Sequence, residues 1–128
     1  MNAPITALYA GLLATLIVIL IIPVVKYRRG LKIGLGDGGH LSVQQSIRAH
    51  GNAVEYIPIF LILLFLFEVN GGTKMALHIA GMSFMVARIA HAVGLHQSAG
   101  ASIGRVVGSS VSVVIILVLA VTNILRYT

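Results

Sequence analysis

The sequence predicts an all-α integral membrane protein whose four transmembrane helices form one bundle. Hydrophobic residues make up 58% of the 128-residue chain and charged residues only 9%, whereas a soluble domain carries nearer a quarter charged residues. Apolar runs long enough to cross a bilayer occur four times, and charged side chains are concentrated at the ends of those runs, where membrane topology places them. A single domain, residues 1–128, is expected at this length.

Four spans are predicted, each long enough to cross a hydrocarbon core of about 30 Å as a helix. They cover residues 5–25, 43–69, 74–93 and 102–125. Pro4 suits the first turn of the first helix. Ser42 and Gln45 have the spacing of a capping box, which predicts that the second helix begins at Val43. Thr73 follows an Asn-Gly-Gly turn and is expected to cap the third helix.

Small residues predict where two helices approach closely. Gly100, Gly104, Gly108 and Ser112 recur at four-residue intervals, so they share one face of the fourth helix. In lipid such a face lets two helix backbones come together, because no large side chain stands between them. Gly94 is expected to end the third span.

The distribution of Lys and Arg predicts the orientation. Seven of the nine basic side chains flank the first and third loops, whereas Lys74 and Arg126 lie on the opposite side. The seven are Lys26, Arg28, Arg29, Lys32, Arg48, Arg88 and Arg105. The positive-inside rule therefore predicts that both those loops are cytoplasmic and that both termini are periplasmic. Short loops and the lack of a basic targeting segment favour the bacterial inner membrane, with the lipid bilayer as surroundings.

Composition and spacing disfavour several functions. The formal net charge of +6 does not indicate nucleic acid as a partner, because no basic face with interleaved aromatic residues is present. The chain has no cysteine, which excludes a protein thiolate as nucleophile or zinc ligand. Its histidines lack metal-ligand spacing, so no metal site is predicted. The G-x-G-x-x-G pattern at residues 34–39 follows a membrane span instead of a strand, and it is interpreted as a flexible turn.

Polar side chains converge on the predicted cytoplasmic boundary and indicate a binding site there. Charged groups inside membrane spans are costly and usually face a bundle interior or a cavity. Arg48, Asn52 and Glu55 lie at positions i, i+4 and i+7 of the second helix, so all three project from one stripe. Tyr56 is one further step round the same helix.

The other helices add to this group near the same boundary. Arg88 and His91 share a face of the third helix, and Arg105 and Ser109 share a face of the fourth. Lys26 ends the first span. These stripes predict a pocket with excess positive charge and one carboxylate, which suits an anionic ligand.

A purely structural role for the same charges is the alternative. Glu55 could pair with Arg48 or with Arg88 and only hold two helices together. Two arginines would then satisfy one buried carboxylate, and Arg105 and Lys26 would remain as surplus positive charge. That surplus favours a binding site over a structural ion pair.

The pattern R-x-x-x-N-x-x-E-Y-x-P, formed by Arg48, Asn52, Glu55, Tyr56 and Pro58, resembles the signature of the MAPEG family. These are the membrane-associated proteins in eicosanoid and glutathione metabolism, which include microsomal glutathione transferases, leukotriene C4 synthase and microsomal prostaglandin E synthase. The resemblance covers nearly the whole chain: four spans, a polar first loop, and R-x-x-H near the end of the third span.

The resemblance implies a homotrimer that binds glutathione, as the thiol co-substrate, between neighbouring subunits near the cytoplasmic face. By match to the family pattern, the second-helix residues that would hold glutathione are Arg48, Asn52, Glu55 and Tyr56. Arg105 matches the fourth-helix arginine that lies close to the thiol in catalytic members. Lys26 stands where relatives have a basic residue, and Arg88 and His91 would line the site on the third helix.

The implied activity is that of a glutathione transferase of the MAPEG type, which conjugates the glutathione thiolate to hydrophobic electrophiles or reduces lipid hydroperoxides. The charges agree with this activity. Glutathione carries two carboxylates and one amine, so arginines would bind the carboxylates and Glu55 the amine. A guanidinium beside the sulfur favours the thiolate, which is the reactive nucleophile. The hydrophobic small-molecule substrate could enter from the lipid between helices.

Two alternatives remain beside this interpretation. Some members of the family bind lipid or glutathione without catalysis. A small four-span exporter is less favoured, because exporters of that kind depend on a carboxylate in the first span, and here the first span is uncharged. The chain also departs from two family patterns: Leu95 stands where several eukaryotic members have tyrosine, and Gly51 where one subgroup has a second arginine.

The predicted orientation can be tested with reporter fusions. A reporter fused after Lys32 should report the cytoplasm, and one fused after Thr128 should report the periplasm, because basic residues are retained on the cytoplasmic side. Signals from the same side of the membrane would overturn the orientation.

Overall fold

The computed structural model describes residues 2–98 and 100–126. Four α-helices make up this part of the chain: α1 (Pro4–Leu31), α2 (Leu41–Val69), α3 (Lys74–Gln97) and α4 (Ile103–Leu125). Each of them is long and apolar enough to cross a membrane. The predicted all-α bundle of four membrane spans is therefore confirmed.

The helices extend beyond the predicted spans at several ends. α1 has 28 residues and α2 has 29, so each is about 42 Å long at 1.5 Å per residue. The hydrocarbon core is about 30 Å thick, so roughly two turns of each helix project into the interface. α1 runs to Leu31, past the predicted limit at residue 25, and α3 runs through Gly94 to Gln97. Gly94 was expected to end the third span, and that prediction was wrong.

The start of α2 differs from the prediction. The helix begins at Leu41 and not at Val43, and His40 occupies the position before it without a side-chain cap. The predicted capping box does not form, because the backbone already turns at Asp37, whose carbonyl accepts from the His40 amide at 3.1 Å. Ser42 consequently lies inside the first helical turn.

Hydroxyl side chains cap the last two helices. Thr73 Oγ1 accepts from the Ala76 amide at 3.3 Å, which confirms the predicted cap of α3. Ser102 Oγ accepts from the Arg105 amide at 3.3 Å at the start of α4 and also donates to the Gly94 carbonyl at 3.0 Å. The second bond ties the start of α4 to the last turns of α3.

The core lies where α2 meets the other three helices. α2 packs against α1, α3 and α4, and α3 packs against α1 and α4, whereas α1 and α4 do not contact each other within the described ranges. Phe60 of α2 and Phe84 of α3 stack with ring centroids 3.8 Å apart. Tyr9 and Leu13 of α1 are also fully buried. Many apolar side chains face outward, as expected for helices solvated by lipid.

α3 and α4 approach most closely, at the small residues predicted to allow it. A Cβ added at Gly108 would lie 2.5 Å from the Ala87 carbonyl oxygen and 2.8 Å from Cβ of His91. One added at Gly104 would lie 2.7 Å from the Ala90 carbonyl oxygen. These distances are shorter than van der Waals contact, so only glycine fits at either position.

Gly94 belongs to the same contact, and this explains why it does not end α3. A Cβ at Gly94 would lie 2.7 Å from the Arg105 amide nitrogen, so its lack of a side chain admits the first turn of α4. Gly100, in contrast, precedes α4, and a Cβ there would meet only the Ser98 hydroxyl at 3.7 Å. The close-packing stripe therefore begins at Gly104 and not at Gly100.

Glu68 has a structural role that the sequence pattern did not indicate. Its carboxylate accepts from the backbone amides of Ile5 at 3.0 Å and Thr6 at 2.7 Å. The first amides of a helix have no partner within the helix and carry partial positive charge. Glu68, at the end of α2, therefore caps the start of α1. Nearby, the Tyr9 hydroxyl donates to the His78 carbonyl at 3.1 Å, which holds the same end of α1 against α3.

We predict that Gly108→Ala destabilises the protein, because its methyl group would overlap with the α3 backbone. Overpacking of this kind typically costs about 1–3 kcal/mol. The measurement is the thermal unfolding midpoint in detergent. Gly11→Ala is the matched control, since a Cβ there meets nothing within 4 Å and alanine favours helix over glycine. If both variants unfold at the wild-type temperature, the close contact between α3 and α4 is wrong.

Candidate functional site

The polar side chains predicted to form a site lie on three helix segments at one end of the bundle. These segments are the first half of α2, the last turns of α3 and the first turns of α4, which border the first and third loops. Within them the structure forms two groups of contacts, one around Arg88 and one around His91.

Arg88 is a buried cation held by neutral partners. Its side chain is only 2% exposed, and its Nη2 donates to Asn52 Oδ1 of α2 at 2.7 Å. The guanidinium carbon lies 4.9 Å from the ring centroid of Tyr56, within the range of a cation–π interaction. Nε and Nη1 are buried and have no hydrogen-bond partner within the described residues. Two of the three guanidinium nitrogens of Arg88 therefore lack an acceptor, and its charge has no anionic partner within the described residues, which is costly unless an anion binds.

Glu55 does not pair with Arg88. Its nearest basic partner is Arg48 on the same helix, with Nη1 and Oε1 3.8 Å apart and side chains 58% and 57% exposed. A pair this long and this exposed contributes little to stability. It also lies within α2, so it does not join two helices. The purely structural alternative therefore has no support from this pair, and both side chains remain accessible to a ligand or a neighbouring subunit.

The His91 group joins α3 to α4. The His91 ring is 6% exposed, and its Nδ1 lies 3.1 Å from the carbonyl oxygen of Arg105 and 2.9 Å from Oγ of Ser109. This contact depends on Gly108, which brings the two backbones together at the same level. The Arg105 side chain is held in turn, since its Nη1 donates to the Gly100 carbonyl at 2.6 Å.

Two cavities meet at Arg105. The larger, of about 310 Å³, is bounded by His91, Ala101, Arg105, Val106, Ser109 and Ser110. The smaller, of about 110 Å³, is bounded by Leu41, Gln44, Gln45, Arg48, Leu95 and Arg105. Because Arg105 borders both, a ligand in either space would lie beside its guanidinium. Arg48 of α2 and Arg105 of α4 both border the smaller cavity. An anion bound there would therefore lie beside two guanidinium groups.

Lys26 is the predicted site residue that the chain does not bring to this group. It is exposed on α1 and makes no hydrogen bond or ion pair within the described residues. α1 contacts α2 and α3 but not α4. Lys26 and Arg105 therefore lie on helices that do not meet within one chain.

Gln44 and Gln45 line the smaller cavity and were missed in the sequence. The available signal was spacing: Leu41, Gln44 and Gln45 precede Arg48 by seven, four and three residues, so they share its face of α2. The expected start at Val43 obscured this pattern, because it put Leu41 outside the helix. Among residues 2–98 and 100–126, no three or more His, Asp or Glu side chains form a group that could hold a metal ion.

We predict that Asn52→Ala destabilises the protein more than Glu55→Ala. Loss of Asn52 removes the hydrogen-bond acceptor of a buried guanidinium, which typically costs about 1–3 kcal/mol. Loss of Glu55 breaks an exposed pair, worth about 0–1 kcal/mol. Thermal unfolding in detergent compares the two, and Asn52→Asp, which keeps an acceptor, should retain stability. Equal midpoints for the two alanine variants would contradict the assigned role of Asn52.

Comparison with known proteins shows the family of the chain. The family model of the MAPEG family matches residues 6–125. Two similar proteins are both called inner membrane protein YecN, one from Escherichia coli strain K12 and one from Escherichia coli O6:H1 strain CFT073. Each is 41% identical over 93 residues, which cover 73% of this chain and 71% of the relative. With a family match along nearly its whole length and four membrane helices, this chain belongs to the MAPEG family.

Proposed function

We propose that this protein is a glutathione-dependent membrane enzyme that transfers the glutathione thiolate to hydrophobic electrophiles or uses it to reduce lipid hydroperoxides. The observation that carries the proposal is the buried Arg88, whose Nε and Nη1 have no partner within the described residues. A buried cation whose partners are all neutral is destabilising by itself, and binding of an anion beside it removes that cost. We infer that the anion is glutathione because the chain belongs to the MAPEG family.

The residues at this end of the bundle fit the charges of glutathione. Its two carboxylates need cationic partners, and Arg48 and Arg88 would bind them, with Asn52 and Tyr56 beside Arg88. Its ammonium needs an anion, and Glu55 is exposed and only weakly engaged with Arg48. Two arginines and one carboxylate thus match the two carboxylates and one ammonium of glutathione.

Arg105 would act on the thiol. It is the third residue of α4, where the helix terminus adds partial positive charge to that of the guanidinium. It borders both cavities, and the Gly100 carbonyl holds its side chain in place. Positive charge beside sulfur favours the thiolate over the thiol, and no protein cysteine is required.

An apolar groove near the site supports a hydrophobic second substrate. It measures about 340 Å³ and is formed between α3 and α4 by Met82, Ser83, Val86, Ala87, Ala90, Val107, Gly108 and Val111. Gly108 also contacts His91, so the groove begins next to the polar cavity. An electrophile dissolved in the membrane could reach the thiolate along this path without crossing water.

We further propose that the active form is a homotrimer with each site shared between subunits. The support is the position of Lys26, which lies on α1, a helix that does not contact α4 within one chain. A neighbouring subunit would bring its own α1 to the exposed Arg48 and Glu55. Closed cyclic assemblies are the common form of homo-oligomers. Native mass spectrometry from detergent should show three copies, and a monomer would contradict a shared site.

The proposed location is the bacterial inner membrane, with the first and third loops cytoplasmic and both termini periplasmic. The name of the YecN relatives places those proteins in the inner membrane. The excess of basic residues beside the two loops supports the orientation. The site would then face the cytoplasm, where glutathione is present as the reduced thiol.

A binding protein without catalysis is the second candidate. Leu95 favours it, because this apolar side chain borders the cavity between Arg48 and Arg105, at a position where several enzymes of the family carry tyrosine. Such a protein would bind glutathione or lipid and show no conjugation. Measuring both glutathione binding and conjugation separates the two candidates.

We predict that the purified protein binds glutathione in a calorimetric titration and that Arg105 and Arg48 affect different steps. Arg105→Ala should lower the rate of conjugation by about 100-fold or more, with little effect on affinity, because its charge matters most when sulfur is anionic. Arg48→Ala should mainly weaken binding, because it would hold a carboxylate present in every state. Arg29→Ala, an exposed basic residue of α1 at the same end, is the matched control and should resemble wild type.

Three outcomes of this experiment are informative. No heat of binding with glutathione would overturn the proposed function. Binding without conjugation of any electrophile tested would favour the non-catalytic candidate. Equal effects of Arg105→Ala on rate and on affinity would contradict a role at the thiol.

A further inference from the structure

We propose that His91 is the base that accepts the proton of the glutathione thiol and returns it to the product. The proposal rests on the proposed function and adds the residue that moves the proton. It follows from the contacts of the His91 ring, which distinguish its two nitrogen atoms.

The contact with Arg105 determines where the proton of the ring lies. Nδ1 of His91 is 3.1 Å from the carbonyl oxygen of Arg105, and a carbonyl oxygen can only accept a hydrogen bond. We therefore assign the ring hydrogen to Nδ1, which donates it to this oxygen. Ser109 Oγ, 2.9 Å from the same nitrogen, is close enough to act as a second acceptor. In the neutral ring the lone pair is consequently on Nε2.

The His91 ring borders the space in which the ligand would bind. It lines the cavity of about 310 Å³ together with Arg105. Nδ1 is engaged with α4, and Nε2 makes no hydrogen bond within the described residues. In the proposed complex Nε2 is the acceptor that receives the proton, and Arg105 holds the sulfur in the same cavity.

The charged groups that act on the ring are three arginines. Arg88 lies one turn earlier on α3, Arg105 faces it from α4, and Arg48 acts from α2. A proton moved from sulfur to Nε2 would create an imidazolium and a thiolate side by side. The thiolate would supply the negative charge that this cationic surrounding otherwise lacks, so the transfer produces an ion pair instead of an isolated cation.

The proposed step suits electrophiles that have an electron-poor carbon–carbon double bond. The S–H bond breaks, its proton goes to Nε2, and the electron pair stays on sulfur. Sulfur then forms a bond to carbon as the π bond breaks, and the resulting carbanion takes the proton back from Nε2. The product is the sum of glutathione and the acceptor, and His91 ends as it began. No oxidant or second thiol is needed.

The test compares the thiolate formed with the protons released when glutathione binds. Ultraviolet absorbance measures the bound thiolate, and calorimetric titration at neutral pH in buffers of different ionisation enthalpy measures proton release. In the wild-type protein we expect thiolate without a matching release of protons, because the proton stays on His91. One proton released for each thiolate in the wild-type protein would overturn the proposal, even if glutathione binds.

His91→Asn tests the same step by substitution. Its Nδ2 takes the place of Nδ1 and can still donate to the Arg105 carbonyl, whereas Nε2 is lost, so affinity for glutathione should change by no more than a few fold. Conjugation should fall by about 100-fold or more, as is typical for loss of a general base, and any thiolate that remains should now form with release of a proton. His96→Asn, at an exposed position of the same helix, is the matched control. Wild-type rates in His91→Asn would also overturn the proposal, whereas absence of glutathione binding in the wild-type protein would instead refute the proposed function.

Discussion

The close approach of α3 and α4 is the constraint on which the rest of the candidate site depends. Gly104 and Gly108 let the α4 backbone lie directly against α3, where any Cβ would overlap with a carbonyl oxygen. Because the backbones are this close, the His91 ring reaches the Arg105 carbonyl across the interface. The same approach closes one wall of the cavity that both residues border. The small residues that let the two helices pack closely in lipid therefore also set the geometry of the candidate site.

The two ends of the bundle differ in whether a buried or half-buried charge has a partner of opposite charge. At one end, the Glu68 carboxylate accepts hydrogen bonds from the first amides of α1. The partial positive charge of the helix terminus therefore offsets the negative charge of Glu68. At the other end, Arg88 is held by the amide of Asn52 and the ring of Tyr56, and neither of these carries an opposite charge. The first arrangement is complete in itself. The second leaves a cation without an anion, and a buried charge left in this state costs free energy that a bound anion would recover.

Most of the fold could be predicted from the sequence because its signals are local. Four apolar runs gave four helices, and the Thr73 cap formed as predicted. Errors occurred at boundaries. Gly94 was expected to end α3, since glycine is common after a helix, but its lack of a side chain serves the contact with α4 instead. α2 began before Val43 because the turn at Asp37 set its start. In each case a neighbouring segment outweighed a pattern of three or four residues.

The sequence by itself determined the number of helices and which polar residue types gather at one end, because hydrophobicity and helical period are properties of a single segment. Only the tertiary structure decided the partners: Arg88 contacts Asn52 and not Glu55, and Gln44 joins Arg105 at one cavity. Partners depend on how far each helix is rotated about its axis and on its depth in the bundle. Contacts between segments far apart in the chain set both quantities, and the periodicity of one helix contains no information about them.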